Sequence, residues 1–370
     1  MALIEDVERV ALRSNEARLR RSAAAGIVLR TLAGVVCGLL AGEAFLRFAR
    51  PYQEDVHTFA AAAVVRDAAL SHRLRPLSHV EVGGIDYRVS SLGTRGPEPA
   101  AHPDARVLVL GDSVTMGWGV AEGDTWPSRV EAALSGHVRG LEVVNAAVLA
   151  WGVEEYAVRL DELWPRLAPD LVIIGYYPND PEGTDSVLPS GGARSRVVEL
   201  LFGSGPEPRT ADTLVRRDVS DTRTSLPAPR PADATEHERA LHAEGSTGWR
   251  KVERAFTRIG RRCRQASVPC VVALLPSLNE TPYPLGPEHR RLADLARAHG
   301  LHVVDVAPVL DSVDAGALWV ARDDAHPNAR GHALYAQRIA AFLEGAQLVP
   351  GSGSADLHGP TRGTAPVTGP

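Results

Sequence analysis

Lysine is nearly missing from this sequence. Lys251 is one among 40 basic residues, so the positive charge is almost all arginine. Cysteine is scarce too: three in 370 residues cannot all pair within one chain, which excludes a disulfide framework. Positive charge is not in excess. The 40 basic and 45 acidic residues leave a net charge of −5, which excludes a strongly basic nucleic-acid binder. What the chain does have is apolar and turn-forming. A hydrophobic fraction of 44% supports a buried core and excludes wholesale disorder. Its 27 prolines and 34 glycines require long irregular segments. At about 100–200 residues per domain, the length fits one large domain with additions, or two domains.

The longest apolar run is near the N-terminus. Residues 23–46 read AAAGIVLRTLAGVVCGLLAGEAFL. A helix of that length, at about 1.5 Å per residue, crosses a bilayer core of about 30 Å. Arg30 is near the start and can snorkel to the interface; Glu43 is the other charge. Arg18, Arg20 and Arg21 precede the run and favour a cytoplasmic N-terminus. The expected layout is a cytoplasmic segment over 1–22, a transmembrane anchor over 23–49, and the rest of the chain beyond the membrane. A cleaved signal peptide, with small residues around Gly42-Glu43-Ala44, is a rival reading that suffers from the polar lead. A buried soluble helix suffers from the near absence of polar residues between Thr31 and Gly42. Cys37 follows Val36 and reads as a small apolar residue of the helix.

Residues 50–104 form a connecting region with a strand-like stretch around Ile85–Val89. Regular alternation begins after it. Arg106–Leu110, Leu141–Val148, Asp170–Tyr177, Pro269–Leu275 and Leu301–Val306 are short apolar runs bounded by turn signals, as buried parallel strands are. Helical periods lie at Trp126–Leu134, Val153–Leu167, Trp249–Ala266, Glu288–Ala298 and His332–Leu343. Strands alternating with helices imply βαβ crossovers and a sheet covered on both faces, with ligands outside the carboxyl ends of the strands. The main domain spans 105–345. Residues 204–246 break the pattern and read as a flexible insertion with a short helix near Glu236–His242. Residues 346–370 read as a disordered tail.

Three strand ends concentrate polar chemistry. Gly111-Asp112-Ser113 follows the first run, where Gly111 allows a tight turn and Ser113 stands at a helix start. Such a serine is a candidate nucleophile or an ordinary N-cap. Pro178-Asn179-Asp180 follows the third run; Asn179 can donate an amide hydrogen to an oxyanion or form a turn. Asp323-Asp324-Ala325-His326-Pro327-Asn328 precedes the last helix. Asp323 and His326 are three apart on an expected loop, a spacing that lets the carboxylate fix the imidazole tautomer. A metal cluster with Asp324 and His332 is the alternative, but no second cluster supplies converging ligands. Trp118, Trp126 and Trp151 are candidates for a pocket wall or for the core. Cys263 and Cys270 stand at a helix and a strand start; pairing is compatible with an exported domain.

In this order along the chain, these blocks resemble the SGNH hydrolases, also called GDSL-type esterases, over Arg106–Leu343. The stretches VLVLGDSVTMGWGV from Val107 and WVARDDAHPNARGHALYA from Trp319 extend the likeness. Tyr87–Glu98 (YRVSSLGTRGPE) and the N-terminal span resemble membrane-anchored bacterial members. The resemblance implies a three-layer α/β/α fold with a five-stranded parallel flavodoxin-like sheet, plus the N-terminal transmembrane helix. It implies that Ser113 is the nucleophile, His326 the general base and Asp323 its orienter. The oxyanion hole would use the Ser113 N–H, Asn179 and the N–H of the second block, where Ala150 occupies a position the family gives to glycine. An alanine N–H donates equally well if φ is negative. If the loop demands a positive φ, the hole is impaired or Gly152 takes the role.

The implied activity is carboxylic ester hydrolysis, acyl or acetyl, through an acyl-enzyme on Ser113, with no cofactor and no metal. The expected partners are an acylated small-molecule, lipid or glycan substrate and the membrane through 23–46, with no nucleic acid. An O-acyltransferase of envelope glycans and a non-catalytic envelope protein are the alternatives.

Overall fold

The computed structural model describes residues 26–45, 51–182, 231–322 and 324–350. The chain divides into two units. The first covers Met1–Glu54 and Pro189–Ala228. Its described part is helix α1, Gly26–Phe45, and the start of α2, Pro51–Ala63. Helix α1 has 20 residues, a mean hydropathy of 1.7 and no buried part. Ile27, Leu29, Leu40 and Phe45 are among its exposed side chains. That length and composition fit a membrane span or a signal sequence.

The second unit covers Asp55–Leu188 and Pro229–Pro370. It begins with two antiparallel hairpins, β1 (Val64–Asp67) with β2 (Ser71–Leu74), and β3 (His79–Val82) with β4 (Ile85–Arg88). These fall in the segment expected to be a connector, yet from Asp55 onward it belongs to the same unit as the main sheet. There follow β5 (Ala105–Gly111), α3 (Ser113–Met116), α4 (Trp126–Leu134), β6 (Leu141–Asn145), α5 (Val153–Leu167) and β7 (Leu171–Tyr176). Then come α6 (Pro231–Leu241), α7 (Thr247–Ala266), β8 (Cys270–Leu274), α8 (Gly286–Ala298) and β9 (His302–Asp305). A hairpin of β10 (Trp319–Ala321) and β11 (Asp324–Pro327) leads into α9 (Ala329–Gly345). Helix α6 includes most of the expected short helix; residues 204–230, 1–25 and 351–370 lie outside the described residues.

The five strands β6-β5-β7-β8-β9 form one parallel sheet in that order. This is the flavodoxin-like order of a doubly wound sheet. Strands β5, β7 and β8 are buried throughout, as continuous apolar runs require when helices cover both faces. Val107, Val109, Ile173, Val271 and Ala273 pack one face against Trp126 and Val130 of α4 and Tyr335, Ile339 and Leu343 of α9. Leu108, Leu110, Ile174 and Val272 alternate to the other face, where α5 lies on β5 and α7 on α5. Cys263 at the end of α7 and Cys270 at the start of β8 are disulfide-bonded, with Cα atoms 6.2 Å apart.

Candidate active site

Strand β5 ends at Gly111, and α3 begins two residues later at Ser113. Asp112 between them is extended, and its carboxylate accepts from Val114 N–H at 2.9 Å, capping the helix. The short turn raises Ser113 to the carboxyl edge of the sheet, half-buried. Close packing makes two glycines necessary there. A Cβ on Gly111 would fall 2.3 Å from Thr115 Oγ1, and one on Gly175, its register partner in β7, would fall 2.1 Å from the same atom.

A four-residue helix leaves carbonyls to satisfy at its end. Asn145 donates to Thr115 O at 3.0 Å. Arg95 donates to Met116 O at 2.7 Å, to Gly117 O and to Val120 O at 2.6 Å. The guanidinium lies 4.6 Å from the centre of the Tyr87 ring. Burial pulls its pKa down to about 10, so it stays charged at neutral pH. Tyr87 and Arg95 lie in the stretch singled out by resemblance; its structural work is to hold the helix that carries Ser113.

His326, on β11, places Nε2 2.8 Å from Ser113 Oγ. Its Nδ1 lies 2.5 Å from Oδ1 of Asp324. A carboxylate only accepts, so Nδ1 carries the hydrogen and Nε2 is free to accept the serine proton. The sequence reading put Asp323 on this imidazole. The carboxylate described there is that of Asp324, and Asp323 lies outside the described residues. The Asp324 contact follows from local structure. The segment is a strand, and residues two apart in a strand share a face. Asp324 also accepts from His326 N–H at 3.0 Å and from Trp118 Nε1–H at 3.1 Å. Burial raises its pKa, but the His326 bond and charge, with the other donors, outweigh that and hold it below the ordinary value.

The loop after β6 passes the end of β5, with Ala146 N–H donating to Val109 O at 2.8 Å and Val148 N–H to Gly111 O at 3.1 Å. Ala150 has φ +55°, so the positive-φ condition raised by its sequence position is met. The left-handed backbone costs about 1–2 kcal/mol of strain but leaves the N–H a donor, so strain and not a lost donor is what the alanine brings. Among the described residues its N–H donates to no protein acceptor. Gly152 does not replace it: its N–H caps α5 through Glu155 Oε2 at 3.1 Å. Asn179 is exposed in the turn after β7, at the same carboxyl edge as Ser113. Beneath it, Asp180 is buried and accepts from Tyr156 O–H at 2.7 Å and Tyr177 N–H at 2.9 Å. Burial and the nearby Asp112 push its carboxyl well above the ordinary value.

His332, weighed as a metal ligand, is buried and accepts from Trp126 N–H at 3.1 Å. Burial, with nearby positive charge, pulls its pKa down to about 3. Trp118, Trp126 and Trp151 are all buried. Trp118 stacks on Tyr87 and meets Phe59 edge-on, so the three tryptophans are packing residues, with Trp118 also a donor to the site.

A serine hydroxyl, an imidazole and a carboxylate in this series can activate the hydroxyl as a nucleophile. The profile of the GDSL-like Lipase/Acylhydrolase family matches residues 109–334, more than half of the chain. The chain belongs to this family. Among curated proteins, an arylesterase of Vibrio mimicus is 32% identical over 112 residues, which are 29% of this chain and 53% of that protein. The chain thus spans about half the length of that relative. Among solved structures, that of TesA is 15% identical, with a TM-score of 0.40, over 65% of this chain and 98% of TesA. The acetylxylan esterase Axe2 of Geobacillus stearothermophilus is 18% identical, with a TM-score of 0.38, over 68% of this chain and 96% of Axe2.

The GDSL resemblance did not point to Asp324, Trp118 or Tyr156. The alternation Asp324-Ala325-His326 was the available signal for the first. The other two are found only through contacts between distant segments.

Proposed function

We propose that the protein is a serine esterase acting on carboxylic esters through an acyl-enzyme on Ser113. The observation that carries this reading is the continuous series from Ser113 Oγ through His326 to Asp324, at 2.8 and 2.5 Å. His326 Nε2 takes the serine proton as Oγ bonds to the ester carbonyl carbon. The N–H groups of Ser113 and Ala150 and the Asn179 amide receive the oxyanion. Collapse breaks the bond to the alcohol oxygen, which leaves with the proton from His326. Water repeats the sequence and releases the acid. Asp324 keeps the imidazole in the required tautomer. Suitable substrates are acylated small molecules, lipids or glycans, and the arylesterase relative makes aryl esters the first to try.

The reading includes a single-pass anchor at α1 with the catalytic unit beyond the membrane. The arginines before the span and the Cys263–Cys270 disulfide support that side. The test is hydrolysis of phenyl and p-nitrophenyl acetate by the full chain in detergent, beside Ser113→Ala. Loss of the nucleophile is expected to lower kcat by about 10⁵–10⁶. A folded wild-type chain without turnover, and without labelling of Ser113 by a fluorophosphonate, would overturn the proposal. Release of the acyl group only onto an added sugar would replace hydrolysis by transfer.

A further inference from the structure

The Ala150 N–H and the Leu149 carbonyl belong to one peptide unit, which is not among the cis bonds of the chain. A trans peptide is flat and points its C=O and N–H in opposite directions. Whatever grips Leu149 O therefore sets the direction of the Ala150 N–H.

The group that grips it is His72, on β2. Its Nε2 lies 2.8 Å from Leu149 O. A carbonyl oxygen only accepts, so Nε2 carries the ring hydrogen. Nδ1 is then a bare acceptor and takes the hydroxyl hydrogen of Ser71 at 2.9 Å. The ring is fully buried. Burial pulls its pKa down, against the Leu149 carbonyl and the charge of Glu155, which leaves it neutral with one donor and one acceptor. A second tie runs the other way: Trp151 Nε1–H donates to the backbone oxygen of His72 at 2.9 Å. Residues 149 and 151 are thus both bound to residue 72, with Ala150 between them.

Ala150 is where such a restraint is needed. A left-handed conformation costs a residue with a Cβ about 1–2 kcal/mol, and it persists where the surroundings over-determine it. On its other flank the loop is tied to the end of β5 through Val148 and Gly111, two residues before Ser113.

We infer that His72 is a positioning residue of the oxyanion hole. It aims the Ala150 N–H toward the carbonyl attacked by Ser113. It also strengthens that N–H as a donor, since hydrogen bonds in series polarise one another. The inference rests on the serine esterase reading above.

The test uses the full chain in detergent with His72→Phe, His72→Gln and Ser71→Ala. Loss of an oxyanion donor costs about 10²–10³ in kcat; a donor left in place but unaimed is expected to cost about 10–100-fold in His72→Phe, with KM within about threefold. Phenylboronic acid supplies the readout that a merely structural role would not move. Its tetrahedral adduct on Ser113 puts an oxygen where the oxyanion forms, so its inhibition constant rises by the factor that kcat falls. Simple loss of folded enzyme lowers the amount of titratable Ser113 and leaves that constant unchanged. His72→Gln, whose amide can donate to Leu149 O, restores most of both values. Ser71→Ala releases the tautomer and moves both the same way by less; it carries the test if His72→Phe does not fold. Wild-type kcat per titrated Ser113 with a wild-type boronate constant in His72→Phe, or failing its folding in Ser71→Ala, overturns the inference and leaves the esterase reading standing. A wild-type chain with neither ester turnover nor boronate inhibition overturns both.

Discussion

Trp118 donates from Nε1 to Oδ2 of Asp324 at 3.1 Å, across 206 positions of sequence. The same carboxylate receives His326 Nδ1–H on Oδ1. One carboxylate is therefore gripped at both oxygens, and the tryptophan that grips it stands just beyond the helix carrying Ser113. Trp118→Phe keeps a ring between Tyr87 and Phe59 but removes the donor. A hydrogen bond to a charged group is worth about 1.5–3 kcal/mol, so a clear fall in Tm and a roughly tenfold fall in kcat are expected. The folded pKa of Asp324 lies below its unfolded value, so its contribution to stability is present above the unfolded pKa and lost as pH falls through the folded one. Removing the Trp118 donor raises the folded pKa and moves acid unfolding to higher pH. Thermal unfolding across the acid range, with aryl ester kinetics on the same preparation, checks both effects.

The carboxylate itself separates two neighbours. Asp324→Asn removes the charge that stabilises the imidazolium and offers the wrong hydrogen-bonding group to Nδ1. Loss of this function in a serine triad costs about 10⁴ in kcat, and that is the expected scale here. Asp323→Asn is expected to retain activity within about tenfold of wild type, as for a residue outside the triad. Kinetics of the two variants on p-nitrophenyl acetate decide the assignment. A large loss confined to Asp323→Asn would return the role to the residue three before the histidine.

The α/β frame was legible because its signals are local. The runs Arg106–Leu110 and Pro269–Leu275 are apolar and bounded by turns, and they fall on β5 and β8. The periods Trp126–Leu134 and Val153–Leu167 coincide with α4 and α5. The turn at Ser113 could be read because a strand runs straight into Gly-Asp-Ser. Of the hairpins between Val64 and Arg88, only the strand-like stretch around Ile85–Val89 was legible, and it falls on β4; the other three strands were not. Strands of four residues carry too little alternation to stand out from a linker. The Asp324 contact was hidden by a different ambiguity. Spacing of three suits a loop and spacing of two suits a strand, and the sequence Asp323-Asp324-Ala325-His326 contains both. His72 and Leu149 are separated by 77 positions, and no local pattern announces a contact at that range.

Thr115 gives a sharp test of the packing under the nucleophile turn. A Cβ on Gly175 would meet Thr115 Oγ1 at 2.1 Å but Thr115 Cβ only at 3.3 Å. A Cβ on Gly111 would meet Thr115 Oγ1 at 2.3 Å and Thr115 Cβ at 2.4 Å. Either single alanine overpacks the turn, which typically costs about 1–3 kcal/mol or more. Truncating Thr115 to alanine removes the hydroxyl and leaves Cβ. Gly175→Ala is therefore expected to recover much of its lost stability when combined with Thr115→Ala, whereas Gly111→Ala is not. Thermal unfolding of the singles and the two doubles measures the coupling, and equal rescue of both glycine variants would contradict the geometry.

Asp112 sets a pH dependence of stability with an unusual sign. It is enclosed beside Ser113, and burial pushes its pKa from 3.8 to about 6, against the charge of His326 and the N–H groups of Val114 and Thr115. Between those two values the folded chain keeps a proton that the unfolded chain has released. The folded state binds more protons there, so stability falls as pH rises through the window and stays lower above it. Asp112→Asn retains an oxygen for the Val114 N–H and removes the titration. Relative to wild type, the variant is expected to gain on the order of 2–3 kcal/mol of stability between pH 4 and pH 7. Glu238, pushed by burial to about 7, gives a slope of the same sign, but it is present in both proteins and cancels in the difference. Urea unfolding of the two chains at a series of pH values reads that difference directly. A constant offset would mean that Asp112 releases its proton at the same pH in the folded and unfolded chains, and that the site holds it as an ordinary solvated carboxylate.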